Sequence, residues 1–250
     1  MQYLLTIAYD GTAYAGWQRQ DNAIAVQQRV EEALSTLLQR SITINAASRT
    51  DAGVHALGQC ATFTANDLRV PLSKLPQVLA GFLPPDISVT DAVVVPDEFH
   101  PQYHATQKTY VYKIHQATVA NPLLRRYSAF EPRALDTKVM QAAAPLFIGR
   151  HDFAAFCATG GNTTTTVREI YDCQLTVHKN LFSLSVTGNG FLYNMVRIIA
   201  GTVLYVGLGK IAPDKILSII VEKDRRLAGK TMPPQGLTLV EVRYDGLHTL

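Results

Sequence analysis

Between Ser48 and His55 the chain gathers an acid, Asp51, two cationic or titratable groups, Arg49 and His55, and two hydroxyls, Ser48 and Thr50. Three kinds of chemistry are open to such a set. Asp51, directly before Ala52-Gly53, can cap its own backbone in a turn. Asp51 and His55 can begin a metal site, although a closed site needs more ligands and no His-x-x-x-His or Cys-x-x-Cys accompanies them. Asp51 can also act as a carboxylate nucleophile or base held by a nearby cation, with Arg49 two residues away as one candidate.

The elements that would position this set are legible on either side. Ile42-Thr43-Ile44-Asn45-Ala46 alternates like a strand and Cys60-Ala61-Thr62-Phe63-Thr64-Ala65 alternates again, so Ala47 to Gln59 reads as a connecting loop. Gly53 and Gly58 allow tight backbone there, which lets Asp51 project from a set position. The string SRTDAGVHALGQ resembles the catalytic loop of the TruA-type tRNA pseudouridine synthases. In that family the Asp is the nucleophile, and the resemblance assigns this role to Asp51.

Composition bounds the rest. The 250 residues suffice for one large domain or two of ordinary size, and 47% hydrophobic with 17% charged residues describes a folded chain rather than a disordered one. A net charge of +3 permits an RNA partner without demanding one. Cys60, Cys157 and Cys173 are odd in number and widely spaced, which indicates neither a disulfide framework nor a zinc knuckle and suits a reducing, cytoplasmic location. The first ten residues lack a basic signal-peptide start and read as a strand. Phe191 to Leu208 approaches membrane-spanning length, but it contains Asn194, Arg197 and glycines, so a buried helix is expected and no membrane partner.

Taken in order, Asp10 to Gln20 reads as a loop in which Tyr14 and Trp17 either pin the chain to the core or, with Arg19, face a polymeric ligand. Its signature is similar to the YDGTxYxGWQ of the same family. Val26, Val30, Leu34, Leu37 and Leu38 predict an amphipathic helix, Pro71 to Phe82 a short helix, and Ile87 to Val95 a strand. Strand, helix, strand, strand, helix, strand is an α+β pattern with a mostly antiparallel sheet and helices on one face. Lys108 to Ile114 then puts Tyr110 and Tyr112 on one face of a strand.

The second half repeats the grammar: a helix from Leu135 to Leu146, a hairpin around His178-Lys179-Asn180, an apolar helix opened by Gly188 to Gly201, a helix from Pro213 to about Glu222, and a closing strand from Leu237 to Tyr244. Adjacent His151 and Asp152 do not present triad geometry and read as packing and hydrogen bonding. The resemblance implies the pseudouridine synthase fold, two related α+β halves, 1–104 and 105–250, with a catalytic cleft between them.

Arg197 in an oily helix must reach water or be paired, because an isolated buried charge is prohibitively costly. The segment GNGFLYNMVR closely resembles one whose Arg contacts the catalytic Asp in the family, which pairs Arg197 with Asp51. By the same resemblance Tyr110, the first Tyr of a KxYxY pattern, sits against the target base and Arg49 fills the stack vacated by a flipped uridine. Gln102 stands where the family commonly has Arg. The implied activity is isomerisation of uridine to pseudouridine at positions 38 to 40 of the tRNA anticodon arm by a homodimer, with no cofactor and no metal. The carboxylate could add to C6, attack C1′ or remove the 2′ proton, and all three use Asp51. Arg19, Lys223, Arg225 and Arg226 are candidate phosphate contacts. The alternative is a non-catalytic RNA-binding α+β module.

Overall fold

The computed structural model describes residues 1–161 and 163–246, and the chain folds as two compact units. The first comprises Met1–Thr106 together with the chain from Leu239. Its strands are β1 (Gln2–Tyr9), β2 (Asn45–Ala46), β3 (His55–Thr64), β4 (Ile87–Val95) and most of β10 (Leu237–Tyr244), in the order β4-β1-β3-β10 with β2 on β3. β1 is antiparallel to both neighbours, Leu5 lying opposite Ala61 and Ala92. Both faces of β1 are covered, which accounts for its run of apolar residues in place of alternation. Helix α1 (Val26–Leu38) buries Val26, Val30, Ala33 and Leu34, the three-and-four spacing of one helix face, and ends where Gln39 turns left-handed at φ 54°. A 3₁₀ turn at Leu72–Lys74 leads into the short α2 (Leu75–Leu79), which packs on β4.

The second unit is Gln107–Thr238. Strands β5 (Ala105–Gln116), β7 (Gly149–Asp152), β8 (Val167–His178) and β9 (Leu181–Gly188) run β5-β9-β8-β7, each antiparallel to the next. The short β6 (Ala129–Glu131) pairs parallel to β5. The β8–β9 hairpin turns through Lys179 at φ 53°. Helix α3 (Thr137–Ala143) is capped by Asp136, whose carboxylate accepts from the amides of Lys138 and Val139. The core is built on α4 (Met195–Gly207), which is buried over most of its circumference and packs against α3, with α5 (Lys215–Glu222) nearby on the aromatic 3₁₀ turn Ala154–Phe156. Phe156 meets the rings of Phe147 and Phe153 edge-on at 5.2 and 6.1 Å.

The whole is a mixed α+β fold with mostly antiparallel strands and five α-helices among the described residues. Three sequence expectations are corrected. Only Asn45–Ala46 of the alternating 42–46 run pairs as strand. The strand after the Asp51 loop begins at His55, because His55 and Ala56 are buried and Ala56 already pairs with Tyr9. Helix α4 begins at Met195 and not near Gly188, since Asn194 is left-handed at φ 60° and breaks any earlier helical run. At 13 residues α4 does not approach a span, and no helix among the described residues is long and apolar enough to cross a membrane.

Gly201, in the middle of α4, meets the strap Ala228 to Pro233. A Cβ at Gly201 would lie 1.9 Å from the Lys230 carbonyl oxygen, and Gly229 in turn would strike the Gly201 backbone at 2.3 Å. Helix propensity alone favours Gly201→Ala by about 1 kcal/mol. Because the strap must move, the expected outcome is the opposite, a loss of about 1 to 3 kcal/mol as for other overpacked sites. Urea denaturation of the variant checks this, and a raised midpoint would contradict the close docking.

Candidate active site

The loop carrying Asp51 is held by a second loop, residues 10 to 17, within the first unit. The Asp51 carbonyl accepts from the Val54 amide at 3.1 Å, closing a turn, and the Gly53 amide donates to Tyr14 O at 3.3 Å. One residue earlier, Thr50 is held at both ends. Its carbonyl accepts from the Trp17 amide at 3.0 Å, and its buried hydroxyl lies 2.7 Å from the Tyr9 hydroxyl. Gly16 makes this approach possible, since at φ +92° a Cβ there would sit 2.6 Å from Thr50 O. Gly11 does the same at the far end of the turn, where a Cβ would meet Val54 O at 1.9 Å.

His55 is buried, and its Nδ1 accepts from the Gly11 amide at 3.1 Å while lying 3.2 Å from Asp10 Oδ1. The hydrogen bond from Gly11 ties His55 to the 10–17 loop. Asp51 is half-buried and Arg49 is exposed on the same loop. Tyr14 and Trp17 pin the 10–17 loop to the core, Trp17 being 1% exposed and tilted against Tyr9 at 5.8 Å. The Tyr14 hydroxyl donates to Asp86 Oδ1 at 2.6 Å, and burial, followed by that carboxylate, raises its pKa. Arg19 points back to Glu31, a 4% exposed carboxylate, at 3.0 Å.

The second unit holds Tyr110 and Arg197. Tyr110 is buried in β5 opposite Val186, its ring edge-on to Phe191 at 5.2 Å and 84°. Arg197, in the first turn of α4, is half-buried. Its Nε donates to Met232 O at 2.7 Å, its Nη1 donates to Asn194 Oδ1, and its own carbonyl accepts from the Met232 amide at 3.2 Å. Tyr112, which the sequence reading treated as an ordinary sheet residue, donates from its hydroxyl to Pro233 O at 2.7 Å. Burial raises its pKa, and the charge of Arg197 acts against that rise. Arg197 and Tyr112 thus seize successive carbonyls of the strap. The residues that sequence reasoning missed are Tyr9, Thr50, His55 as a brace, Tyr112 and the strap. Their signal was the glycines, Gly11, Gly16, Gly201 and Gly229, each at a backbone crossing.

The basic run is engaged internally. Lys223 Nζ lies 2.7 Å from Asp152 Oδ2, Arg226 forks onto Asp224, and Arg225 donates to Gly229 O and Thr231 Oγ1. Asp152 also accepts from the Thr166 hydroxyl and the Ala154 amide, the packing role expected for the His151-Asp152 pair.

A family model described as tRNA pseudouridine synthase matches residues 5–104 and 143–245, taking in Arg49, Asp51 and Arg197 and leaving Tyr110 between the two segments. The chain belongs to the tRNA pseudouridine synthase family. It is 47% identical to a tRNA pseudouridine synthase A of Caldicellulosiruptor bescii and 48% identical to one of Ruminiclostridium cellulolyticum, in each case over 96% of this chain and 98% of the relative. The enzyme of the same name from Geotalea uraniireducens is 46% identical over 97% of this chain and 99% of its own.

The Asp152 cluster makes a pH prediction. The Lys223 ammonium first, and then the Thr166 hydroxyl, hold the Asp152 carboxyl below its ordinary value. A depressed folded-state pKa contributes stability that is complete above the unfolded value of about 4 and is lost as the pH falls through the native value. Asp152→Asn should therefore lower the melting temperature at pH 7 by a few degrees and leave a shallower decline below about pH 4. Thermal melts at several pH values check both.

Proposed function

We propose that this protein isomerises uridine to pseudouridine in tRNA, with Asp51 as nucleophile, at positions 38 to 40 of the anticodon arm. The observation that carries the reading is the Asp51 turn, clamped through Thr50 and Val54 by the second family motif, in a chain of this family. The reaction breaks the bond from uracil N1 to C1′ and forms one from C5 to C1′. No atom is gained or lost, so no cofactor is called for. An ionised, aimed carboxylate begins it. Arg197 supplies a permanent cation as counterion to Asp51, Tyr110 holds the base and can take the C5 proton, and Arg49 fills the vacated stack when the uridine is flipped at a cost of a few kcal/mol. A target accepted in several registers cannot be read by its base edges, so grip comes from shape and phosphates. A homodimer would double the surface that supplies this grip.

Asp51→Asn should reduce pseudouridine formation by more than about a thousandfold and leave tRNA binding within about twofold, since the loss of a negative charge does not weaken contacts to a polyanion. Near wild-type turnover would remove Asp51 as nucleophile. Binding by wild-type protein without any turnover would favour the non-catalytic RNA-binding module. Arg197→Met keeps the apolar bulk and should be nearly as inactive. Tyr110→Phe should bind and stall, and a fully active Phe variant would leave Tyr110 only a packing role.

A further inference from the structure

Most arginines whose contacts are seen here end on a carboxylate: Arg19 on Glu31, Arg29 on Glu32, Arg40 on Asp67, Arg133 on Glu131, Arg226 on Asp224 and Arg243 on Glu241. Arg168 does not. Near the start of β8, its Nη1 donates to Thr165 O at 2.8 Å and Val167 O at 2.7 Å, and its Nη2 donates to Thr163 Oγ1 at 3.2 Å. These are neutral acceptors. A guanidinium has five N–H donors, so two remain without a partner among the described residues. The side chain is half-buried, and burial lowers its pKa.

A partly desolvated cation with no acid beside it among the described residues is costly unless an anion arrives. Its orientation is already set by three hydrogen bonds, so little side-chain entropy remains to be lost on binding. Arg225 also ends on neutral acceptors, but these are the strap residues Gly229 and Thr231, and its role there is internal bracing.

The surroundings say what anion fits. Arg168 Nε lies beside Gly190, where a Cβ would stand 3.7 Å away. Gly190 belongs to the loop from Gly188 to Asn194, whose Phe191 packs edge-on against Tyr110 and whose end opens α4 just before Arg197. An anion at Arg168 therefore adjoins the loop that packs against the residue assigned to the base. Arginine forks suit phosphate oxygens.

We propose that Arg168 is a substrate-binding residue that receives an RNA backbone phosphate close to the target uridine, a reading that rests on the tRNA activity proposed above.

The test is tRNA binding by wild type, Arg168→Gln and Arg168→Lys across a potassium chloride series, with turnover on the same tRNA. Arg168→Gln should bind roughly tenfold more weakly, lower the salt slope by about 0.7 to 0.9 and raise KM more than it lowers kcat. Arg168→Lys should restore the slope and only part of the affinity, because it returns the charge without the fork. On wild-type protein, tRNAs bearing a single methylphosphonate linkage near the target should reveal one position whose neutralisation weakens binding by a similar factor, and Arg168→Gln should be blind to that position. If the Gln variant folds poorly, Arg168→Lys should show a smaller penalty than wild type at that same position, because it keeps the charge and loses the fork. Inorganic phosphate competing with tRNA at low millimolar concentration would mark a site for the free ion and overturn the backbone assignment. An unchanged slope in a well-folded Arg168→Gln, or equal sensitivity of wild type and variant to every methylphosphonate, would also overturn it. Wild-type protein that neither binds nor modifies tRNA would remove the functional reading itself, and this proposal with it.

Discussion

A carboxylate is repelled by a polyanion such as tRNA, so any fixed direction it has must come from the protein. Here it comes from the interlock of two loops at the level of bare backbone. Gly16 lets the 10–17 loop touch Thr50 O and Gly11 lets it touch Val54 O, so the turn containing Asp51 is held on both sides. The Tyr9 to Thr50 hydroxyl contact and the Gly11 amide to His55 hydrogen bond are both buried, where an unmade bond would cost the desolvation of its donor or acceptor. Any slip of one loop therefore breaks several contacts together, and that makes the turn rigid.

The second unit solves its own problem by the same means. Gly201 and Gly229 bring the strap onto α4 backbone to backbone, with the Gly229 amide donating to the Thr202 hydroxyl at 2.9 Å. Once seated, the strap offers two consecutive carbonyls, of Met232 and Pro233, to Arg197 and Tyr112. A guanidinium in an apolar helix is thereby partly solvated by protein in place of water, and its direction is set. Gly236 closes the arrangement by lying under the Tyr112 ring, where a Cβ would meet ring atoms at 2.5 Å.

What was legible in the sequence was whatever depends on local pattern. The bounds of β4 and β10 and the apolar face of α1 follow from periodicity, and the resemblance of three short motifs led to the family. What was not legible depends on partners far away in the chain. His55 looked like a possible ligand or cation, yet its neighbours Asp10 and Gly11 come from the end of β1, 44 residues earlier in the Gly11 contact. Ile42 and Ile44 alternate as strand residues should, but they are buried without joining a ladder, because Glu31 of α1 takes the Ile44 amide at 3.2 Å. A side chain replaced the strand partner, and no count of apolar positions could show it.

The same distinction orders the cations that a sequence offers to a polyanion. Taking a phosphate on Arg19 would withdraw its guanidinium from Glu31, a carboxylate only 4% exposed. Leaving such a group without its cation is strongly unfavourable, although Gln27 and the Ile44 amide also donate to it. Arg226 stands differently. Its side chain is 89% exposed and Asp224 is close to solvent, so the pair can open into water for little, as surface ion pairs do. Arg19 therefore belongs to the fold that carries the Asp51 loop, Arg226 is available for exchange, and Arg168 alone of the three meets no acid among the described residues. Net charge counts all three alike, and it is the partner each already holds that decides which can serve RNA.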